Sequence, residues 1–274
     1  MKADAVVVIT GASSGIGLEC AREFFRQGCR IVMASRSLKE LEGIQHELDP
    51  EGKRILVIQT DVTKEEECKE LIQKAVGKFG RIDVLINNAG ITMRALFNDV
   101  DIDVLKQLMD VNFWGMVYCT KYALPYLLES KGSIVGMSSV AGYKGLPTRS
   151  GYAATKFAME GFLETLRIEN RRTGVHVLIA RPGFVATNIR NKMMSANGTM
   201  QGVSHKDEAK SMSAAEVSRE IFKAVKKRKS YMILSSTAIL SFWLNKFFPA
   251  LVDRLVFKHV FEEKDSPLKN YHTK

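Results

Sequence analysis

Ala5-Val6-Val7-Val8-Ile9-Thr10-Gly11-Ala12-Ser13-Ser14-Gly15-Ile16-Gly17 is the stretch that decides how this chain folds. Its first six residues form an apolar, β-branched run of the kind found in strands buried on both faces. Three glycines follow, and a helical pattern then runs over 18–27. In a strand–turn–helix unit each glycine has a mechanical task. Gly11 permits the tight turn, Gly15 lets backbone approach a pyrophosphate, and Gly17 lets helix and strand pack closely. The helix start then presents unpaired amides and the positive end of its dipole to phosphates. A glycine pattern alone is weak evidence, but the flanking strand and helix supply the context it requires. No Lys-Ser or Lys-Thr pair closes the motif, so a nucleoside triphosphate loop is disfavoured.

The next strand, 30–34, ends in Ser35-Arg36. An acidic residue there would suit the ribose hydroxyls of NAD, whereas an arginine suits the 2′-phosphate of NADP. The guanidinium of Arg36 carries a fork of donors matched to phosphate, which predicts NADPH as cofactor. Further strands are expected at 54–59, 82–86, 133–137, 176–180 and 230–234, with helices between them that include 100–128, 152–172 and 214–227. The last helix opens with Ser213-Ala214-Ala215-Glu216, a capping box. This alternation predicts an α/β fold: one Rossmann-like, doubly wound parallel sheet of about seven strands with helices on both faces. No linker or charge block divides the chain, so one domain is expected over 1–235, with a substrate lid at 184–212 and a C-terminal helical extension at 236–274.

Tyr152-Ala153-Ala154-Thr155-Lys156 follows Ser139 by thirteen residues. Positions i and i+4 share a helix face, so Lys156 can approach the Tyr152 oxygen and favour its phenolate. Lowering a phenol by about three pKa units takes ~4 kcal/mol, within reach of a dry cleft holding a fixed cation. Ser139 would hold and polarise a substrate oxygen. Taken alone, the Tyr–Lys spacing is what an ordinary helix face displays; it is the rest of the chain that overturns that reading.

Together these motifs resemble the short-chain dehydrogenase/reductase family over residues 5–235. Residues 10–17 resemble its cofactor turn, Asn87-Asn88-Ala89-Gly90 the motif after the fourth strand, and Pro182-Gly183 the turn after the sixth. Asn112, Ser139, Tyr152 and Lys156 match its catalytic group. The resemblance implies that Tyr152 is the general acid/base, that Lys156 lowers its pKa and binds the nicotinamide ribose, that Ser139 orients the carbonyl, and that Asn112 holds a relay water. It further implies that Gly11, Ser13, Ser14, Gly15, Ile16, Gly17, Ser35, Arg36, Asp61, Val62, Asn88, Ala89, Gly90, Pro182, Gly183, Val185 and Thr187 meet the cofactor, Asp61 at the adenine. Ser14 departs from the second basic residue of many NADP-using relatives, which softens the predicted preference.

The expected reaction is carbonyl reduction, reversible as alcohol oxidation. A non-catalytic NADP(H)-binding regulatory or scaffold protein on the same fold is the alternative. A nucleotide-sugar enzyme would need a larger substrate domain. Met93, Ser139, Tyr143, Leu146, Phe184, Ile189 and Met193 are expected to line an apolar substrate pocket, methionines making adaptable walls. A long-chain keto-lipid of the 3-ketosphinganine type, or a steroid-like alcohol, fits such a wall. Arg94, Arg149 and Arg190 leave a substrate carboxylate open.

The net charge is +10, densest at Lys226-Lys227-Arg228-Lys229. No stacking aromatics or recognition helix accompany that cluster, so nucleic acid is not expected as a partner. Cys20, Cys29, Cys68 and Cys119 are scattered, which suits buried thiols in a reducing compartment and neither a disulfide framework nor a metal site. The N-terminus leads straight into the first strand, so a cytoplasmic location is expected. The apolar run at 236–257 is broken by Lys246, Pro249, Asp253 and Arg254. It reads as two amphipathic helices that pack on the domain or a second subunit, or lie in a lipid headgroup layer beside the basic cluster at the inner face of a membrane. A homo-dimer or homo-tetramer is expected by analogy with the family.

Overall fold

In the computed structural model, residues 4–183, 185–186, 193–201, 212–263 and 265–271 are described. Strands β1 (Val6–Thr10), β2 (Arg30–Ser35) and β3 (Ile55–Gln59) alternate with helices α1 (Gly15–Arg26), α2 (Leu38–Leu48) and α3 (Glu65–Phe79). Strand β4 (Val84–Asn87) leads to α4 (Ile102–Met109) and α5 (Gly115–Ser130); β5 (Ser133–Met137), α6 (Ser150–Glu169) and β6 (His176–Arg181) follow. The short pair β7 (Val185–Ala186) and β8 (Met212–Ser213) precedes α7 (Ala214–Lys226), β9 (Tyr231–Ile233), α8 (Ser236–Phe247) and α9 (Pro249–Phe261).

The main sheet has seven parallel strands in the order β3-β2-β1-β4-β5-β6-β9. The chain lays strands to one side of β1 as far as β3, then returns to its other side at β4. A crevice therefore opens beyond the carboxyl ends of β1 and β4, where ligands bind in such sheets. Alternation along each strand separates two apolar layers. Val7, Ile9 and Ile31 pack with Phe24, Ile221 and Val225 on one face. Val6, Val8 and Leu85 pack with Leu71, Cys119 and Leu163 on the other. All four cysteines are buried free thiols.

The long helix expected at 100–128 is interrupted. Between α4 and α5, Asp110–Trp114 forms a π-helical turn. The extra residue per turn lets the fully buried Asn112 aim its amide at the Ile91 backbone, accepting from Ile91 N at 2.8 Å and donating to Ile91 O at 2.9 Å. Such turns recur at functional sites.

Pro249 opens α9, where its missing N–H costs nothing. Several side-chain contacts tie α8, α9 and the tail to the body. The Tyr143 hydroxyl donates to Ala238 O at 2.9 Å, Lys144 pairs with Asp253, and Arg94 pairs with Glu263 at 2.9 Å. The basic cluster does not lie beside these helices. It precedes β9, and Arg228 donates to the Lys131 carbonyl just before β5, whereas α8 meets the turn after β5. Cluster and helices thus occupy opposite ends of the sheet, a correction to the sequence expectation. No described helix is long and apolar enough to cross a membrane.

Candidate active site

The crevice is a cleft of about 380 Å³, lined by Gly11, Ser13, Ser14, Gly15, Ile16, Ser35, Arg36, Asp61, Val62, Asn88, Ala89 and Gly90. Gly11 and Gly15 adopt φ of 64° and 58°, open to glycine at little cost. Gly17 lies beneath the turn: a Cβ there would stand 2.3 Å from Gly11 O and 2.5 Å from Asn88 Nδ2. Asn88 Nδ2 donates to Thr10 O at 3.0 Å and Gly11 O at 3.1 Å. Thr10 Oγ1 accepts from the amides of Asn88 and Ala89, each at 3.1 Å. The turn is therefore pinned from β4.

At the start of α1, Ser14 makes no side-chain cap and the first turn holds no acidic residue. Its leading amides stay open to an anion. Arg36 is exposed at the rim, and its guanidinium has no acidic partner among the described residues. Asp61 Oδ1 is oriented by the amide and hydroxyl of Thr63 at 3.1 and 2.9 Å. A close-packed glycine turn, open helix amides and a rim arginine fit the diphosphate and ribose of a nicotinamide dinucleotide. Met194, Gly198 and Met200, from the lid expected at 184–212, also line the cleft, and so do Ser37, Glu40, Thr60, Ile91, Gln107 and Val111, which sequence reading did not single out as lining residues. Gln107 and Val111 stand four apart, a spacing that could have placed them on one face beside Asn112.

Pro182 and Gly183 abut the β9–α8 junction, where a Cβ on Gly183 would lie 3.1 Å from Leu234 O. Val185 is buried in the apolar layer with Val217 and Ile221. Phe184, Thr187, Ile189 and Arg190 lie outside the described residues, as does most of the 184–212 lid.

Tyr152 and Lys156 share one side of α6, the ammonium 5.6 Å from the centre of the phenol ring. Lys156 is buried, and its Nζ donates to Met137 O at 2.7 Å. Burial lowers Lys156 to about 8, opposed by the Glu160 carboxylate. Tyr152 is held above the ordinary phenol value by burial, with Ser139 and Arg149 pulling it back down. The expected help from Lys156 is thus not expressed here. A buried ammonium needs an acceptor, and the Met137 carbonyl provides it. Ser139 Oγ accepts from Ala141 N at 3.2 Å, capping the turn Val140–Gly142, while its hydroxyl is directed at the Tyr152 phenol. Asn112 Nδ2 also donates to Thr155 Oγ1 at 3.0 Å, tying the π-helical turn to α6.

The pocket-wall candidates divide. Met93 is fully buried behind Tyr152, in a cluster with Val104, Leu108 and Met194. Its strand-like neighbours pair with the described part of the lid, Arg94 N donating to Met194 O at 2.9 Å. Met193 is buried and Leu146 half-buried. The hydroxyl of Tyr143 docks α8 as described above, so its ring rather than its polar end is left for a wall. Arg94, left open for a substrate carboxylate, is buried against Glu263. Sequence reading missed a buried pair, Glu160 and Arg181, joined at 2.8 and 2.6 Å. Its signal was available: Glu160 follows Lys156 by one helical turn, and Arg181 directly precedes Pro182.

Residues 5–198 match the family model described as short chain dehydrogenase. The chain is 35% identical over 269 residues to dehydrogenase/reductase SDR family member 7B of Mus musculus, covering 96% of this chain and 83% of the relative. It is 35% identical over 253 residues to 11-beta-hydroxysteroid dehydrogenase-like 2 of Arabidopsis thaliana, covering 92% and 80%. Among solved structures, an alcohol dehydrogenase from the archaeon Thermococcus sibiricus, complexed with 5-hydroxy-NADP, superposes with a TM-score of 0.75 at 28% identity, covering 85% of this chain and 97% of that one.

Proposed function

Because the chain belongs to the short-chain dehydrogenase family, we propose that it is an NADPH-dependent carbonyl reductase acting on a bulky apolar ketone. One observation carries the reading: Ser139, Tyr152 and Lys156 converge at the carboxyl end of β5, next to the crevice between β1 and β4. A bound nicotinamide would supply hydride to the carbonyl carbon. The chain's own residues do the rest. Ser139 donates to the substrate oxygen and fixes its direction. Tyr152, kept protonated by burial, gives its proton to that oxygen as charge develops. The Lys156 ammonium stabilises the phenolate left behind.

Arg36 supports NADPH over NADH. The apolar surroundings of Tyr152 support a lipid or steroid-like ketone, as does the steroid named in the plant relative. The exposed apolar residues of α8, α9 and the junction between them, among them Leu240, Trp243, Phe247, Phe248 and Leu255, support contact with a membrane surface from the cytoplasmic side, where such a substrate would reside. Exposed Trp114 and Phe157 support a homo-oligomer.

The test is NADPH oxidation against keto-lipids, steroids and small ketones. Tyr152→Phe should lower turnover by roughly 10³-fold while NADPH still binds. Retained turnover, or equal use of NADH, rejects the corresponding half of the reading. Co-sedimentation with anionic liposomes at low salt checks the membrane contact, and recovery only in the supernatant refutes it.

A further inference from the structure

We propose that Glu160, clamped by Arg181 beneath α8, is a positioning residue for this reaction: it holds the end of β5 so that Ser139 and Lys156 stay in register with Tyr152. The inference rests on the reductase reading and adds a part to it. Both members of the pair are almost fully buried, 6% and 5% exposed. Desolvating two charges is costly, and apolar replacements are often no less stable. Stability therefore does not explain the pair, whereas its connections do.

Glu160 Oε1 accepts from Arg181 Nε at 2.8 Å and from Ser138 Oγ at 2.5 Å, while Oε2 accepts from Arg181 Nη2 at 2.6 Å. Ser138 stands between the two backbone positions the chemistry needs. On one side is Met137, whose carbonyl receives the Lys156 ammonium. On the other is Ser139. The turn that Ser139 caps is shaped around the carboxylate, since a Cβ on Gly142 would lie 2.3 Å from Glu160 Oε1 and 2.4 Å from Ser138 Oγ.

Three rings enclose the Arg181 guanidinium: Tyr231 at 4.8 Å, Phe242 at 5.4 Å and Tyr143 at 5.7 Å. Phe242 belongs to α8, so the C-terminal helices close one side of the cage. The titratable and charged groups facing the cluster are Lys156 and Glu164 from α6, Arg181 from β6, Tyr143 from the turn after β5, and Tyr231 from β9. Tyr231 is already committed, donating to Glu164 at 2.7 Å and accepting from Arg167 at 3.2 Å. Glu160 is thus the anion one turn from Lys156, and its charge opposes the loss of the lysine proton.

Full-length Ser138→Ala, Glu160→Gln, Glu160→Asp and the charge-neutral double variant E160Q/R181M are compared with wild type. Glu160→Gln should lower kcat about 10²-fold, the scale of a small displacement of a catalytic group, with KM for NADPH little changed and partial rescue in Glu160→Asp. Ser138→Ala, which keeps both charges, should lose about tenfold, the weight of one charge-assisted hydrogen bond. If Glu160→Gln fails to fold, Ser138→Ala and the double variant carry the comparison. A second readout needs no turnover. Carbon NMR of labelled lysine in the dinucleotide-free chain should show Lys156 titrating near 8 in wild type, and at lower pH in Glu160→Gln or the double variant. Wild-type kcat in Ser138→Ala and the double variant, or an unmoved Lys156 titration, overturns the proposal. Absence of any NADPH turnover in wild type would instead overturn the reductase reading, and the positioning role with it, an outcome distinct from an active wild type with unaffected variants.

Discussion

The two ends of the active-site crevice are built by different means. The end at β1 and α1 is held locally: a glycine turn, with the Thr10 hydroxyl and the Asn88 side-chain amide bonded to nearby backbone atoms, fixes it within one strand–turn–helix unit and its neighbour β4. The end at β5 and α6 is held by side chains reaching to the C-terminal helices and tail. Arg94 and Glu263 stand 169 residues apart, Lys144 and Asp253 109, and Tyr143 and Ala238 95. Backbone geometry dictated by glycine leaves little to adjust, so the first end tolerates few substitutions but is indifferent to the tail. The second can be retuned by any change in α8 or α9.

The sharpest way to separate the ends is Arg94→Met. Arg94 and Glu263 expose only 3% and 10% of their side chains. Removing Arg94 takes the buried cation away from the Glu263 carboxylate, so up to about 3–5 kcal/mol of stability should be lost. Urea unfolding measures it, and Glu263→Leu added to Arg94→Met should recover most. Because Arg94 also pairs by backbone with Met194, the folded fraction should show a raised KM for the ketone and an unchanged Kd for NADPH. An equal rise in both would dissolve the distinction between the ends.

Gly17→Ala probes the other end. Its Cβ would press on the Gly11 carbonyl at 2.3 Å, and neither atom can move without the turn. Overpacking of this kind costs about 1–3 kcal/mol. Here the loss should appear first as weakened NADPH binding, read by cofactor fluorescence. A folded variant with native affinity would show that the turn is softer than its packing implies. Arg36→Ala should act more gently and selectively, weakening NADPH about tenfold as one charged hydrogen bond is lost while leaving NADH alone. As Arg36 is exposed, added salt should shrink the difference.

The same division decides what could be read from sequence. The seven-strand sheet and the glycine turn were legible because strand periodicity and φ requirements are local properties. Tyr152 and Lys156 were legible as a helical pair for the same reason, but the partner of the ammonium was not, since Met137 O is a backbone atom nineteen residues away. The π-helical turn escaped notice because the apolar pattern of 100–128 runs through it without a proline or glycine pair. The fate of Tyr143 and Arg94 was hidden too: each is settled by a contact with the tail, and no local pattern announces a partner about one hundred residues or more away. The basic cluster was placed beside α8 because the two are close in sequence, yet β9 carries the chain from one end of the sheet to the other between them.

The smallest effect should come from Asp253→Asn, and its smallness is informative. Lys144 and Asp253 bridge the same two parts of the molecule as Arg94 and Glu263. Lys144 is largely buried, at 12%, but Asp253 leaves 66% of its side chain in water, against 10% for Glu263, so solvent screens the pair from the carboxylate side. An ion pair so exposed is worth less than about 1 kcal/mol, a shift in Tm of no more than about 4 °C for a chain of this size. That shift should vanish in 1 M salt, where the screening length falls to about 3 Å, whereas the loss from Arg94→Met should persist. If Asp253→Asn proved as damaging as Arg94→Met, and insensitive to salt, burial would not be what ranks the tail contacts. The attachment of α9 would then have to depend on the position of the charge along the helix.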